Sequence, residues 1–351
     1  MSRFILFCLI AAATSSSFAQ PLLPAEQRPA DAAPAEMTPE QRMTQFRRDQ
    51  INLLALHGDT PSLLSAALLA QSDANDPKRP NALKSPSLVA HAQRTGPDDV
   101  SVWWTAASIE CRDRPKDCPQ VETLQKLEAL DAQNAAVWVF SLMRAQNSGD
   151  QTGARAALTS AAQSQRYDDY FGKTMAMLED AEHILPVSDE VIRASGQLNA
   201  SVEGFQLVNA AGVAVRAMPP LAAAVSSACR DGTAGSDLNS DCIAIAKKMV
   251  ASGSLGAKNA GLSVLIALFP AGADQNAARD QLRALTWQTM RIGEQAEQLA
   301  DDQRITRIYA TALHASGTEA AAVVAVLRSQ GVAMDPPADW RAPEPDAPPR
   351  P

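Results

Sequence analysis

The chain has 351 residues, 31 of them basic and 39 acidic, a formal net charge of −8, and aromatic residues make up only 5%. A net-negative chain with no Lys/Arg cluster and no basic stripe interleaved with aromatics repels nucleic acid and anionic lipid surfaces, so neither is expected as a partner. The length allows two domains or one elongated array.

The first predicted element, residues 1–19, reads as a cleavable secretory signal. Arg3 supplies the positive start, Phe4 to Ala13 are apolar, and Ser17 and Ala19 put small residues where signal peptidase reads, so cleavage is expected after Ala19. The apolar run is half of what a membrane span needs, and Phe7 before Cys8 is too bulky for a lipid-attachment site. The expected product is an exported protein, periplasmic or secreted, with no membrane span after cleavage.

Residues 20–37, rich in Pro, Ala and Gln, are expected to be disordered, as is the Pro-rich tail 336–351. Between them the chain is Ala-rich and lacks the apolar/polar alternation of half-buried strands, which predicts an all-α body. It divides into helical repeats over 38–183 and a second helical region over 184–335 that ends in a further hairpin. Thr38-Pro39-Glu40-Gln41 carries an N-cap, a proline at the first helical position and a glutamine placed to close a capping box. Thr60-Pro61 and Ser85-Pro86 repeat the cap-then-proline device. Gly58, Gly149, Gly317 and Gly331 stand where helices should stop in the left-handed conformation.

Trp104 and Trp138 are 34 residues apart, and so are Leu124 and Leu158 in the same frame. Each Trp opens a first helix and each Leu lies inside a second, the size of a two-helix hairpin that must stack on its neighbours to bury its apolar face. Residues 170–300 show helices without a clear period. Within them Leu262–Phe269, ending at Pro270, reads as a buried helix. Near the end Ile305, Ile308, Tyr309, Ala312 and Leu313 form one apolar helix face.

These repeats resemble the tetratricopeptide family. In residues 135–168 the resemblance rests on Trp138, the Gly149-Asp150 turn, and Ala154, Leu158 and Ala161. Residues Leu130-Asp131-Ala132-Gln133-Asn134 are similar to the family's inter-repeat Leu-Asp-Pro-Asn-Asn. Leu142, where the family prefers a small residue, and Ala132, in place of its proline, are departures. Gly58-Asp59 and Gly317-Thr318 can be set on the same turn, giving further units near 44–77 and 303–335. The resemblance implies a TPR-like α-solenoid of stacked helical hairpins. Its concave face would be lined by Thr105, Ile109, Arg112, Val139, Met143 and Gln146 and would hold a peptide or a partner helix. The Lys/Asn clamp for a C-terminal carboxylate has no match at these positions.

Cys111, Cys118, Cys229 and Cys242 remain after signal removal, an even number in a chain bound for an oxidising compartment. Four cysteines allow three connectivities, of which the two short-range pairs, Cys111–Cys118 and Cys229–Cys242, are the simplest. Cys111 falls late in a first helix and Cys118 at the start of a second, and the other pair flanks the Gly/Ser/Asp-rich loop 231–241. Neither spacing suits zinc.

No catalytic signature emerges. His57, His91, His183 and His314 lie in no H-E-x-x-H arrangement and read as surface or helix-end residues rather than metal ligands. Nucleophile elbows, S-x-x-K and phosphate-cradling loops are absent, and no cofactor is expected. Carboxylates cluster at Asp168-Asp169, Glu179-Asp180-Glu182 and Asp301-Asp302. A glycan-cleaving enzyme would need such a pair held across a pocket, whereas solvated helix faces carry them routinely. Tyr167-Asp168-Asp169-Tyr170-Phe171 reads as a capped helix start with its rings packed inward. The leading expectation is therefore a non-enzymatic exported scaffold that binds a protein or peptide of the cell envelope. An inhibitor of an exported toxin and an envelope glycan-cleaving enzyme are the alternatives.

Overall fold

The computed structural model of the protein describes residues 37–72, 83–230 and 236–342. The expected signal at 1–19, nearly all of the segment 20–37, the tail from 343 onward and the start of the loop 231–241 lie outside the described residues. Among the described residues there are seventeen helices and no β-strand, so the fold is all-α.

Local chemistry sets many of the helix ends. Helix α1 (Pro39–His57) opens on the complete Thr38/Gln41 capping box and closes on Gly58 at φ 73°. Helix α2 (Thr60–Ser72) starts two residues later, and its cap is Asp59, which accepts from the Ser62 N–H at 3.0 Å. Thr60 is thus already inside the helix. Helix α3 (Ser85–Thr95) likewise begins at Ser85, and Lys84 stands at its cap without a side-chain bond. In both places the proline defines the first turn, so the hydroxyl before it lies one position too late to cap.

Helices α4 (Val100–Asp113), α5 (Val121–Asp131), α6 (Ala135–Ser148) and α7 (Gln151–Gln163) form the two hairpins expected around Trp104 and Trp138. Their register differs from the sequence frame. The Trp103 indole donates to the Pro97 carbonyl at 2.7 Å and the Trp138 indole to the Ala132 carbonyl at 2.8 Å. The equivalent of Trp138 is therefore Trp103, one residue before Trp104. The caps Asp99 and Asn134 are 35 residues apart, whereas Gln120 and Asp150, which precede the second helices, are only 30 apart. The cause is the connection, residues 114–120 in the first hairpin against Gly149-Asp150 in the second. Leu124 and Leu158 are both buried, but at different turns of their helices.

The disulfides are Cys111–Cys118 and Cys229–Cys242, with Cα atoms 4.5 and 5.7 Å apart. Two such bridges are the mark of an oxidising compartment. Cys118 lies in the loop, three residues before α5, rather than in the second helix. The other bridge joins the end of α11 (Leu221–Arg230) to α12 (Ser236–Ala251), so residues 236–241 are helix, not loop.

The second half of the chain folds back on the first. Alternate helices α2, α4 and α6 form an inner row, and α10 (Val202–Ala217) and α11 lie across it: α10 packs on α2 and α4, α11 on α6. The α10–α11 pair bends by 42°, and no single described helix is long and apolar enough to cross a membrane. Beyond it, α12 packs on α7 and on α13 (Leu255–Leu268), which is buried at Leu262, Val264 and Leu265 as expected. Helix α14 (Ala273–Glu294) follows, and the short α15 (Ala296–Asp301) packs on α10. Helices α16 (Gln303–Ser316) and α17 (Glu319–Ser329) turn at Gly317, φ 65°, and Ile305, Tyr309 and Leu313 of α16 are buried. Helix α8 (Phe171–Glu182) packs on α10, α2 and α16, while α9 (Asp189–Ala194) covers α1. The two large cores each draw residues from both sides of position 184, so packing does not divide the chain there.

Residues 336–342, expected within a disordered tail, are an ordered strap over α14. Arg283 donates to the carbonyls of Pro337, Ala338 and Trp340, and the Trp287 and Trp340 rings meet edge to face at 5.4 Å. Carbonyls in a Pro-rich segment have few N–H partners of their own, and one planar guanidinium supplies several.

Candidate functional site

Of the six residues expected on an open concave face, Thr105, Ile109, Val139 and Met143 are buried, while Arg112 and Gln146 are exposed but bonded to the returning chain. Ile109, Val139 and Met143 lie beneath the returning chain. Gln146 donates to the Ala224 carbonyl of α11 at 3.3 Å, and Arg112 to the Arg216 carbonyl at the end of α10 at 3.2 Å. The apolar faces of α10 and α11 fill the groove a partner helix would have used, because an exposed apolar row is covered most readily by a tethered segment of the same chain. Arg112 faces a second opening, bounded by Cys111, Arg216 and Pro219. Thr105 alone reaches the cleft described next.

That cleft lies between α2, α4, α8 and the α16–α17 turn and holds about 360 Å³. Leu64, Trp104, Tyr170 and Met177 supply its walls, and Asp99, Lys173, Asp180 and His314 its polar rim. Gly172 permits the close approach that forms one side, since a Cβ there would sit 2.3 Å from the Gly317 carbonyl oxygen. Tyr170 is held in the left-handed region at φ 56°, which no other non-glycine described residue shares. Its hydroxyl donates to Asp131 at 2.7 Å, its N–H to Asp168 at 2.9 Å, and the Lys173 ammonium lies 4.5 Å from its ring centre. A non-glycine residue in this conformation persists only where its surroundings hold it. Here they fix an aromatic wall against Trp104, whose ring centre is 4.8 Å away. Burial, and then the bond to Asp131, push the Tyr170 phenol far above its ordinary range, so it stays a neutral donor.

The acid clusters separate by partner. Asp168 binds Lys173 at 2.8 Å, and its backbone is stitched to Asn134 by two hydrogen bonds. Asp169 accepts from the Phe171 N–H at 3.3 Å, and burial raises its pKa. Tyr167, Tyr170 and Phe171 are buried as expected, but the cap of α8 is Tyr170 without a side-chain bond rather than an aspartate. Glu182 is fully buried and bound by Arg47, Gln50 at 2.9 Å and Asn209 at 2.6 Å, tying α8 to α1 and α10. Neither carboxylate pair proposed for glycan cleavage faces an open pocket as a pair.

Glu179, one turn before Glu182, differs. It is 7% exposed, and its two oxygens meet imidazoles: Oε1 lies 3.2 Å from His183 Nε2 and Oε2 lies 2.7 Å from His314 Nε2. Asp180 Oδ1 is 3.8 Å from the same His314 nitrogen. His183 and His314 are at helix ends, as the sequence suggested, but they converge on one carboxylate. The i, i+4 spacing of Glu179 and His183 was readable in the sequence. No sequence signal brought in His314, 135 residues away.

In comparisons with known proteins no family model, no curated protein and no solved structure matched the chain.

Proposed function

We propose that the protein is an exported, non-enzymatic helical-repeat protein, TPR-like in its first hairpins, that binds a segment of an envelope protein in the cleft between α2, α4, α8 and the α16–α17 turn. The reading rests on that cleft of about 360 Å³, whose aromatic and aliphatic walls are rimmed by charge. Cavities of this size take a few side chains, with polar groups at the rim fixing orientation. Lys173 is already bound to Asp168, which leaves Asp99 and Asp180 as the charges facing a ligand. An apolar side chain next to a basic residue is the complementary sequence, and the chain's net charge of −8 favours the same sign of partner. Two disulfides agree with an oxidising compartment.

The test is crosslinking pull-down from envelope extract with the mature chain and with Ser101→Trp, which fills the cleft mouth from the first turn of α4. A specific partner retained by the parent and lost by the variant is expected. Equal recovery by both chains, or no specific partner, overturns the reading.

A further inference from the structure

The geometry points to a zinc site at Glu179, Asp180 and His314, with His183 as the positioning residue for Glu179. Four observations carry it. One carboxylate oxygen of each acid and the His314 imidazole lie within 4.8 Å of one another, drawn from helices α8 and α16 that only tertiary packing brings together. Glu179 is buried, yet among the described residues its partners are imidazoles, with no Arg or Lys ion pair. Buried Glu182, on the same helix, takes Arg47 instead. An acid withdrawn from water is normally compensated by a cation, and at Glu179 that place is open to a metal ion. Asp180 and His314 also line the cleft, so an ion held there has a path in and a free coordination position facing the cavity.

The distances fit with little rearrangement. Nitrogen and oxygen ligands about 2.0–2.2 Å from zinc in a tetrahedral site lie about 3.4 Å from each other. The His314–Glu179 and His314–Asp180 separations of 2.7 and 3.8 Å straddle that value. Asp180, with a side chain 71% exposed, is free to swing inward. His183 engages Oε1 of Glu179 and so leaves Oε2 toward His314, the usual role of an outer partner on a metal-binding carboxylate. Imidazole among the ligands favours zinc over magnesium or calcium, which take oxygen alone. The site shares Asp180 with the rim of the cleft, so a bound ion leaves Asp99 as the rim's acid, and a ligand in the cleft would reach the ion's open position.

The experiment is isothermal titration of zinc chloride into the tag-free, chelator-stripped mature chain with both disulfides intact. Binding of one zinc per chain is expected. Affinity should fall at least ~10-fold in His314→Ala and in Asp180→Asn, the latter an exposed position that spares the fold, and should stay unchanged in His91→Ala. With cobalt in place of zinc, His183→Ala should shift the visible absorption bands without changing the stoichiometry. Zinc binding that is absent from the parent, or unaltered in both His314→Ala and Asp180→Asn, overturns the proposal. A loss confined to His91→Ala does so as well. Pull-down of a peptide partner by the chelator-stripped chain would leave the zinc result untouched, so the two readings fail separately.

Discussion

The hairpins α4–α5 and α6–α7 answer one packing problem with different connections. In α6–α7 the turn is Gly149-Asp150: Gly149 takes φ 74° and Asp150 caps the second helix by accepting from the Gly153 N–H at 2.8 Å. In α4–α5 the connection runs from 114 to 120, and a bridge from Cys111 to Cys118 closes it. Both hairpins still deliver an inner helix to the same row, and Trp104 meets Phe140 edge to face across it at 5.0 Å. The length of a connection is therefore free to vary where a covalent link replaces a tight turn. The register of the inner helices, set by the indole bonds of Trp103 and Trp138, is what the fold keeps.

The strongest way to break the comparison is at the contact the hairpins share. Phe140→Ala removes a fully buried ring between α4 and α6 and is expected to cost about 3–5 kcal/mol in urea unfolding. A loss below about 1 kcal/mol would mean that the inner row is not one core. Removing the Cys111–Cys118 bridge with paired serines should cost about 2 kcal/mol, as expected for a loop of this length. Hydrogen exchange should then quicken in α4–α5 while α6–α7 keeps its protection. Equal loss in both hairpins would show that the staple serves the whole stack.

The smallest effect sharpens the comparison at the next junction. Asp169 follows the caps Asp99 and Asn134 by the same 35-residue step, but it is buried near Glu319 of α17. Burial, reinforced by the Asp169 charge, lifts Glu319 to about 7 although the Leu255 N–H donates to it. A carboxyl raised in the folded state binds a proton there that the unfolded chain has already released. Stability from this group is thus present at low pH and falls as pH rises from about 4.5 to about 7. The difference between pH 5 and pH 8 should be on the order of 1–2 kcal/mol, and Glu319→Gln should flatten it. An unchanged pH profile in that variant would exclude Glu319 as the source.

How much was legible follows from the range of each interaction. The Thr38/Gln41 capping box, the stops at Gly58, Gly149, Gly317 and Gly331, and the apolar face of α16 depend on residues within two turns of one another, and all were read correctly. The short-range disulfides were the simplest pairing and are the ones present. The Trp104–Trp138 frame misled by one residue, because Trp103 and Trp104 are both indoles and only the bond to a carbonyl six residues back distinguishes them.

The sequence by itself determined an all-α chain, several of its helix ends and two hairpins of nearly equal repeat, and made the short-range cysteine pairing the simplest, because caps, turns and periodicity are local. Only the tertiary structure decided that α10 and α11 cover the row of α2, α4 and α6, so that Ile109, Val139 and Met143, expected to face a partner, face the chain itself. It also decided that Trp340 is strapped to α14 and that His314 meets Glu179. Those contacts join segments far apart in the chain. They form because exposed apolar faces must be covered by something, and no local pattern records which segment covers them.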